Sequence, residues 1–187
     1  MSYFNAIPDE NIWLDKVFKY MVDITIVILL AILTIHFFGT DIKMDGNSMQ
    51  PTVNSGNVML INKMSYQFHE PKRFDVIAFD DSLETDGIQE NIKRIIGIPG
   101  DKVQIKNGAV YINGKETRWI EEKDAIVNAG VANAEIVLEK DEYFVMGDNW
   151  NNSEDSRFSN IGNIKKKQII GKVFIKVAPF QNIGFVK

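Results

Sequence analysis

The run from Tyr20 to Gly39, YMVDITIVILLAILTIHFFG, limits what this chain can fold into more than any other stretch. Its length of about 20 residues corresponds to about 30 Å of α-helix, the thickness of a hydrocarbon core. From Ile24 to Leu33 the run is apolar on every side, more than one side of a small domain can cover, so it reads as a membrane-spanning helix rather than a buried core helix. Asp23 sits one turn inside the start, within reach of Lys19 at i−4, and His36 with the adjacent phenylalanines suits the far interface. A cleavable leader fits less well, because the run is long for one and Thr40-Asp41-Ile42-Lys43 after it offers no cleavage site between small residues. The expected organisation is a polar, amphipathic segment over 1–19, a transmembrane helix over 20–39 and a second domain over 40–187. Lys16 and Lys19 before the run, against Lys43 after it, place the N-terminus in the cytoplasm and the second domain outside.

Composition removes several kinds of chemistry. The chain has no cysteine, which excludes a disulfide framework, a thiol nucleophile and thiolate metal sites. With only His36 and His69, a histidine-based triad or a multi-histidine metal site is hard to assemble. No metal or other cofactor is expected, and acid–base work falls to Lys, Asp, Glu or Tyr. A net charge of −4 without a basic stripe leaves out nucleic acid as a partner.

Beyond the apolar run the chain reads as all-β. Residues 57–63, 75–79, 91–96, 102–106, 109–112, 143–146 and 169–177 are short β-branched or aromatic runs between turn residues. Asn107-Gly108 and Asn113-Gly114 bracket the fifth of these as two tight hairpin turns. Such a succession predicts antiparallel sheets or a barrel. Residues 117–140 are less regular and read as a variable insertion, and Lys165-Lys166-Lys167 as a solvated loop.

Four segments stand out against this background. Ser48 lies in Gly46-Asn47-Ser48-Met49-Gln50-Pro51-Thr52, which alone could be an ordinary turn whose serine bonds its own backbone. Lys93, in Lys93-Arg94-Ile95-Ile96-Gly97-Ile98-Pro99-Gly100-Asp101, falls on the apolar face of a strand, where a snorkelling surface lysine is the alternative. Gly147-Asp148-Asn149-Trp150-Asn151-Asn152-Ser153-Glu154-Asp155-Ser156-Arg157 is a dense polar loop whose carboxylates do not keep the spacing of a calcium loop. Arg73-Phe74-Asp75-Val76-Ile77-Ala78-Phe79 opens a strand.

The order and spacing of these segments after a single apolar run resemble type I signal peptidase, over nearly the whole chain from the anchor to about residue 175. The resemblance implies a membrane-bound serine endopeptidase with an all-β catalytic domain. It would cut exported preproteins after Ala-x-Ala-like residues, with membrane lipid and a secretion or pilus-assembly machinery as further partners. Ser48 would be the nucleophile and Lys93 the base. A lysine acts so only when neutral; lowering its free pKa of about 10.4 by two to three units takes roughly 3–4 kcal/mol, which burial among Ile92, Ile95 and Ile96 would supply. The resemblance further implies that Ser153 hydrogen-bonds Lys93, that Asp155 pairs with Arg157 and Asp148 with Arg94, and that Ile42, Met44, Met59 and Ile92 line two shallow substrate pockets. A large side chain forced into such a pocket costs about 1–3 kcal/mol of strain. Gly46 stands where some members carry a hydroxyl donor to the oxyanion, Phe74 where glycine is frequent, and Trp150-Asn151 where Arg-Asp is common; Trp150 is expected at the surface or the lipid interface. Two other readings are a self-cleaving repressor-type protease, which needs no anchor, and a non-catalytic membrane-anchored homologue acting as assembly factor or chaperone for surface proteins such as pilins. A scaffold would need neither Ser48 nor Lys93.

Overall fold

The computed structural model describes residues 12–38, 40–81, 90–120 and 124–186, with the side chains of residues 12 and 34–38 outside it. The chain divides into two units between Phe37 and Phe38. The first contains α1, Ile12–Phe38. Ile24, Ile26, Val27, Ile28, Leu29 and Leu30 are all exposed; at 100° per residue they span every side of the helix. Among the described residues no helix is long and apolar enough to cross a membrane. Lys16 and Lys19 precede the run on the same helix and Asp23 lies inside it, and the expectation for His36 lies outside the described side chains. Lys19 and Asp23, expected to pair, form no ion pair among the described residues.

The second unit is built from antiparallel strands: β1 (Thr40–Lys43), β2 (Val58–Asn62), β3 (Val76–Asp80), β4 (Glu90–Gly97), β5 (Lys102–Lys106), β6 (Ala109–Ile112), β7 (Lys115–Thr117), β8 (Ile136–Val137), β9 (Glu142–Met146), β10 (Ile164–Lys165), β11 (Ile169–Ala178) and β12 (Gly184–Phe185). One turn of helix, α2 (Ser65–Phe68), follows β2. The larger sheet runs β1-β2-β11-β3-β4-β9-β10, with β12 paired to β11. Strand β3 shows why it is covered on both faces. Val76 and Ala78 enter a cluster with Ile42, Met49, Met59, Ile61 and Ile92, whereas Ile77 and Phe79 enter one with Ile95, Tyr143, Val145 and Ile164. Its side chains alternate between faces, and those from Val76 to Phe79 are all apolar and buried, as for a strand in the middle of a sheet; each fully buried Ile or Phe contributes about 1.5–3 kcal/mol.

The smaller sheet runs β7-β6-β5-β8. Its hairpins follow the two Asn-Gly pairs: Lys106 faces Ala109 and Ile112 faces Lys115 across two-residue loops. Asn107, Gly108, Asn113 and Gly114 all adopt positive φ, from 51° to 79°, the conformation that makes Asn-Gly the favoured hairpin pair. Two expectations are corrected here. Residues 117–140 are not a mere insertion, since Ile126, Ala132 and Leu138 are buried in the core of this sheet with Val103, Ile105 and Phe144. Trp150, expected at the surface, is 6% exposed in the same core. Lys165 and Lys166, expected in a solvated loop, keep solvent-accessible side chains and form surface ion pairs with Glu142 and Glu70.

Candidate active site

The Gly46–Thr52 turn leaves β1 and is pinned from below by two apolar plugs, Met49 and Val53, both fully buried. Gly46 has φ of +80°, where a side chain would be strained and glycine is not. Val53 N–H donates to Met49 O at 2.8 Å and Gln50 N–H to Asn47 O at 3.2 Å, which tightens the turn around Ser48. The polar loop after β9 straps it from above: Asn149 N–H donates to Ser48 O at 3.0 Å and Asn149 Nδ2 to Asn47 O at 3.1 Å.

Lys93 stands on β4 opposite Ile77 of β3, and Arg94 opposite Val76, so the two cations point to opposite faces of the sheet. Lys93 is 4% exposed, and its Nζ is hydrogen-bonded to Ser48 Oγ at 3.0 Å. Burial pushes the ammonium pKa down, against the opposing pull of Asp155, Asp81 and Glu154. A hydroxyl held at this distance from a neutral-leaning amine can pass its proton to nitrogen as the oxygen attacks.

Two buried ion pairs frame the dyad. Arg94 Nε and Nη2 donate to the two oxygens of Asp148 at 2.8 and 2.6 Å. Asp148 also accepts from the Thr52 hydroxyl and from Trp119 Nε1 at 3.0 Å. One carboxylate therefore ties the nucleophile turn, the base strand and the smaller sheet together. Neither Thr52 nor Trp119 is singled out by sequence reasoning. For Thr52 the signal was its place inside the serine block; Trp119 has none, because its partner lies 29 residues away. Arg157 Nε and Nη2 donate to Asp155 at 2.7 and 2.9 Å, and Arg157 Nη2 and Nη1 reach the Trp150 and Asn128 carbonyls at 2.6 and 3.1 Å. Ser153 is placed differently from the expectation: its hydroxyl donates to Asp155 Oδ2 at 2.8 Å rather than pairing with Lys93. A charged, buried carboxylate is the stronger acceptor.

Ile42, Met44, Met59 and Ile92, expected to line substrate pockets, are brought together in one buried cluster with Met49 and Val53, at 7%, 5%, 0% and 3% exposure. An open groove at the nucleophile is lined by Asp45, Gly46, Asn47 and Ser48 together with Asn151, Asn152, Ser153, Glu154 and Phe158. Phe74, where glycine was noted as frequent, adopts φ of 71°. Its ring stacks on Trp119 with centroids 6.4 Å apart, and its N–H donates to Ile95 O at 2.7 Å. Among the described residues no group of three or more His, Asp or Glu side chains could hold a metal ion.

Gly147, at the junction of β9 and the polar loop, is a point of close approach: a Cβ there would collide with Ser153 Oγ and the Ser48 carbonyl. Gly147→Ala is expected to displace the nucleophile turn and lower kcat by at least about tenfold, since a shift of 1 Å can cost about 100-fold. Steady-state cleavage rates of the correctly folded variant check this, and an unchanged kcat would contradict the contact.

A serine hydroxyl bonded to a buried amine on an antiparallel sheet defines a nucleophile–base pair of the kind found in hydrolases that work without histidine. The family model for signal peptidase, peptidase S26, matches residues 17–178, and the chain belongs to that family, which makes it a serine peptidase. It is 32% identical over 182 residues to the probable signal peptidase I-2 of Synechocystis, covering 96% of this chain and 79% of that one. It is 34% identical over 160 residues to signal peptidase I of Bacillus caldolyticus, with 80% and 85% covered, and 36% identical over 171 residues to signal peptidase I T of Bacillus subtilis, with 88% and 86% covered.

Proposed function

We propose that this protein is a membrane-anchored endopeptidase that removes signal peptides from exported preproteins after Ala-x-Ala-like sites, with Ser48 as nucleophile and Lys93 as general base. The observation that carries the reading is the 3.0 Å contact between Ser48 Oγ and the buried Lys93 Nζ. As Oγ attacks the scissile carbonyl, its proton moves to Nζ, which then protonates the leaving amine; a water attacks the acyl-enzyme by the same relay. The Ser48 N–H has no partner among the described residues and is free to donate to the oxyanion. Ile42, Met44, Met59 and Ile92 would form the floor against which only small substrate side chains fit. The exposed apolar circumference of α1 supports a single membrane pass over residues 20–39. The lysine bias supports a cytoplasmic N-terminus with residues 40–187 on the outer side. A non-catalytic assembly factor is not favoured, because the dyad geometry would serve no purpose in a scaffold.

The test is cleavage of a preprotein bearing an Ala-x-Ala site by wild type, Ser48→Ala and Lys93→Ala. Wild type is expected to cleave, and each variant to lose at least about a thousandfold in kcat. Equal processing by all three would sink the dyad, and an inactive wild type would restore the assembly-factor reading.

A further inference from the structure

Three carboxylates bear electrostatically on Lys93: Asp155, Asp81 and Glu154. They are not equivalent. Asp155 is fully buried but compensated, since both its oxygens are held by Arg157 and it also accepts from Ser153 Oγ and Gly147 N–H. Glu154 is exposed on the rim of the groove, where water screens its charge. Asp81 is different. It follows β3, and the β3–β4 register sets Phe79 against Asn91 and Ile77 against Lys93. Alternation along both strands therefore puts Asp81, Asn91 and Lys93 on one face of the sheet. Asn91 Nδ2 donates to Asp81 Oδ2 at 3.3 Å, which holds the carboxylate on the Lys93 face of the sheet, within electrostatic reach of the base and not in contact with it. The other oxygen, Oδ1, is shut off from solvent and has no hydrogen-bond partner among the described residues.

A buried acceptor left empty costs about 1–3 kcal/mol, and a charged one costs more. Such a cost is tolerated where a partner arrives during function. We infer that Asp81 is a positioning residue for the catalytic base, supplying the countercharge for the ammonium that Lys93 becomes when it takes the Ser48 proton. In that step the Ser48 O–H bond breaks, an N–H bond forms on Nζ, and the new positive charge appears in a site from which water is largely excluded. The uncompensated Asp81 carboxylate is the group that meets it. Asp81 is itself held above the usual carboxylate range by burial and by its neighbours Asp80 and Glu154, with Lys93 pulling the other way.

The inference rests on Lys93 being the base, and the experiment separates the two. The pH dependence of kcat/KM is measured for full-length wild type, Asp81→Asn, Asp81→Glu and Lys93→Ala on the same Ala-x-Ala substrate. Removing the Asp81 charge makes Lys93 easier to deprotonate and a weaker base. The rising limb of the Asp81→Asn profile is expected about half a pH unit lower than in wild type, and its alkaline plateau severalfold lower, so the two profiles cross; Asp81→Glu should restore the wild-type limb. A merely structural role, acting through Asn91, would lower the rate at every pH without moving the limb, and that result overturns the inference. An unmoved limb in Asp81→Asn with Lys93→Ala inactive overturns Asp81 alone, whereas an active Lys93→Ala removes the base itself.

Discussion

Replacing Lys93 with methionine is expected to abolish cleavage and to make the protein more stable. Lys93 is 4% exposed, and burial lowers its pKa from the ordinary lysine value of 10.5, so the folded state resists the ammonium that the unfolded chain carries freely. Each unit of that depression costs about 1.4 kcal/mol of folding free energy at pH values below the folded pKa. Methionine fills a similar length without charge, and a gain of about 1–3 kcal/mol is expected at neutral pH. The sign follows from proton linkage. A lysine with a depressed folded pKa binds more protons when unfolded, so wild-type stability rises with pH from the folded pKa towards 10.5. The advantage of Lys93→Met is therefore largest below the folded pKa and shrinks across that interval. Urea unfolding of the two full-length proteins in detergent at several pH values checks it. A methionine variant less stable than wild type at neutral pH would mean that the amine is not a burden on the fold. Catalytic groups kept at the expense of stability are a common pattern.

Asp148→Ala should have the opposite consequence. Arg94 and Asp148 are 3% and 0% exposed at the side chain. Truncating the acid leaves a guanidinium in the interior without its countercharge, a change that costs about 3–5 kcal/mol. The Thr52 hydroxyl and the Trp119 indole N–H lose their acceptor in the same step. Against a total stability of about 5–15 kcal/mol this is a large share, and much of the protein should be unfolded or degraded at growth temperature. Chemical unfolding of the purified variant gives the number, and a loss below about 1 kcal/mol would show that water reaches Arg94. The double replacement Arg94→Met with Asp148→Leu should recover part of the loss, because it removes the stranded charge as well as its partner.

The sequence revealed the strands whose apolar residues repeat every second position or run unbroken. Residues 57–63, 75–79, 91–96 and 169–177 were expected as strands, and β2, β3, β4 and β11 follow them to within two residues at either end. The two Asn-Gly hairpins were legible because their turn chemistry is local. Strands β1, β8, β10 and β12 were not, since two to four residues carry too little pattern and exist only through a partner strand. Ile126, Ala132 and Leu138 were missed as core because the apolar residues of this segment, in Ala125-Ile126-Val127, Val131-Ala132 and Ile136-Val137-Leu138, keep neither an alternating nor a helical period, and long-range packing on the smaller sheet decides which of them are buried. In the candidate site the Arg94–Asp148 and Asp155–Arg157 pairs lie as expected, while Ser153 turns to Asp155. Motif spacing specifies which residues meet in a loop, but not which of two nearby acceptors a rotatable hydroxyl selects. Asp81 lay outside every motif, and it became visible only when the β3–β4 register placed it on the face of Asn91 and Lys93.

The placement of β11 has a consequence for how the molecule comes into being. The serine turn belongs to the β1–β2 hairpin and the lysine to the β3–β4 hairpin, yet these hairpins share no edge, because β11 lies between them and pairs with β2 on one side and β3 on the other. Both reactive side chains leave the ribosome well before residues 169–178 do. A partly synthesised chain therefore carries the two hairpins without the strand that joins them into one sheet. Such distant pairing slows folding, and it makes the completion of the sheet that carries both reactive side chains one of the last steps of synthesis, when the eleventh strand is inserted.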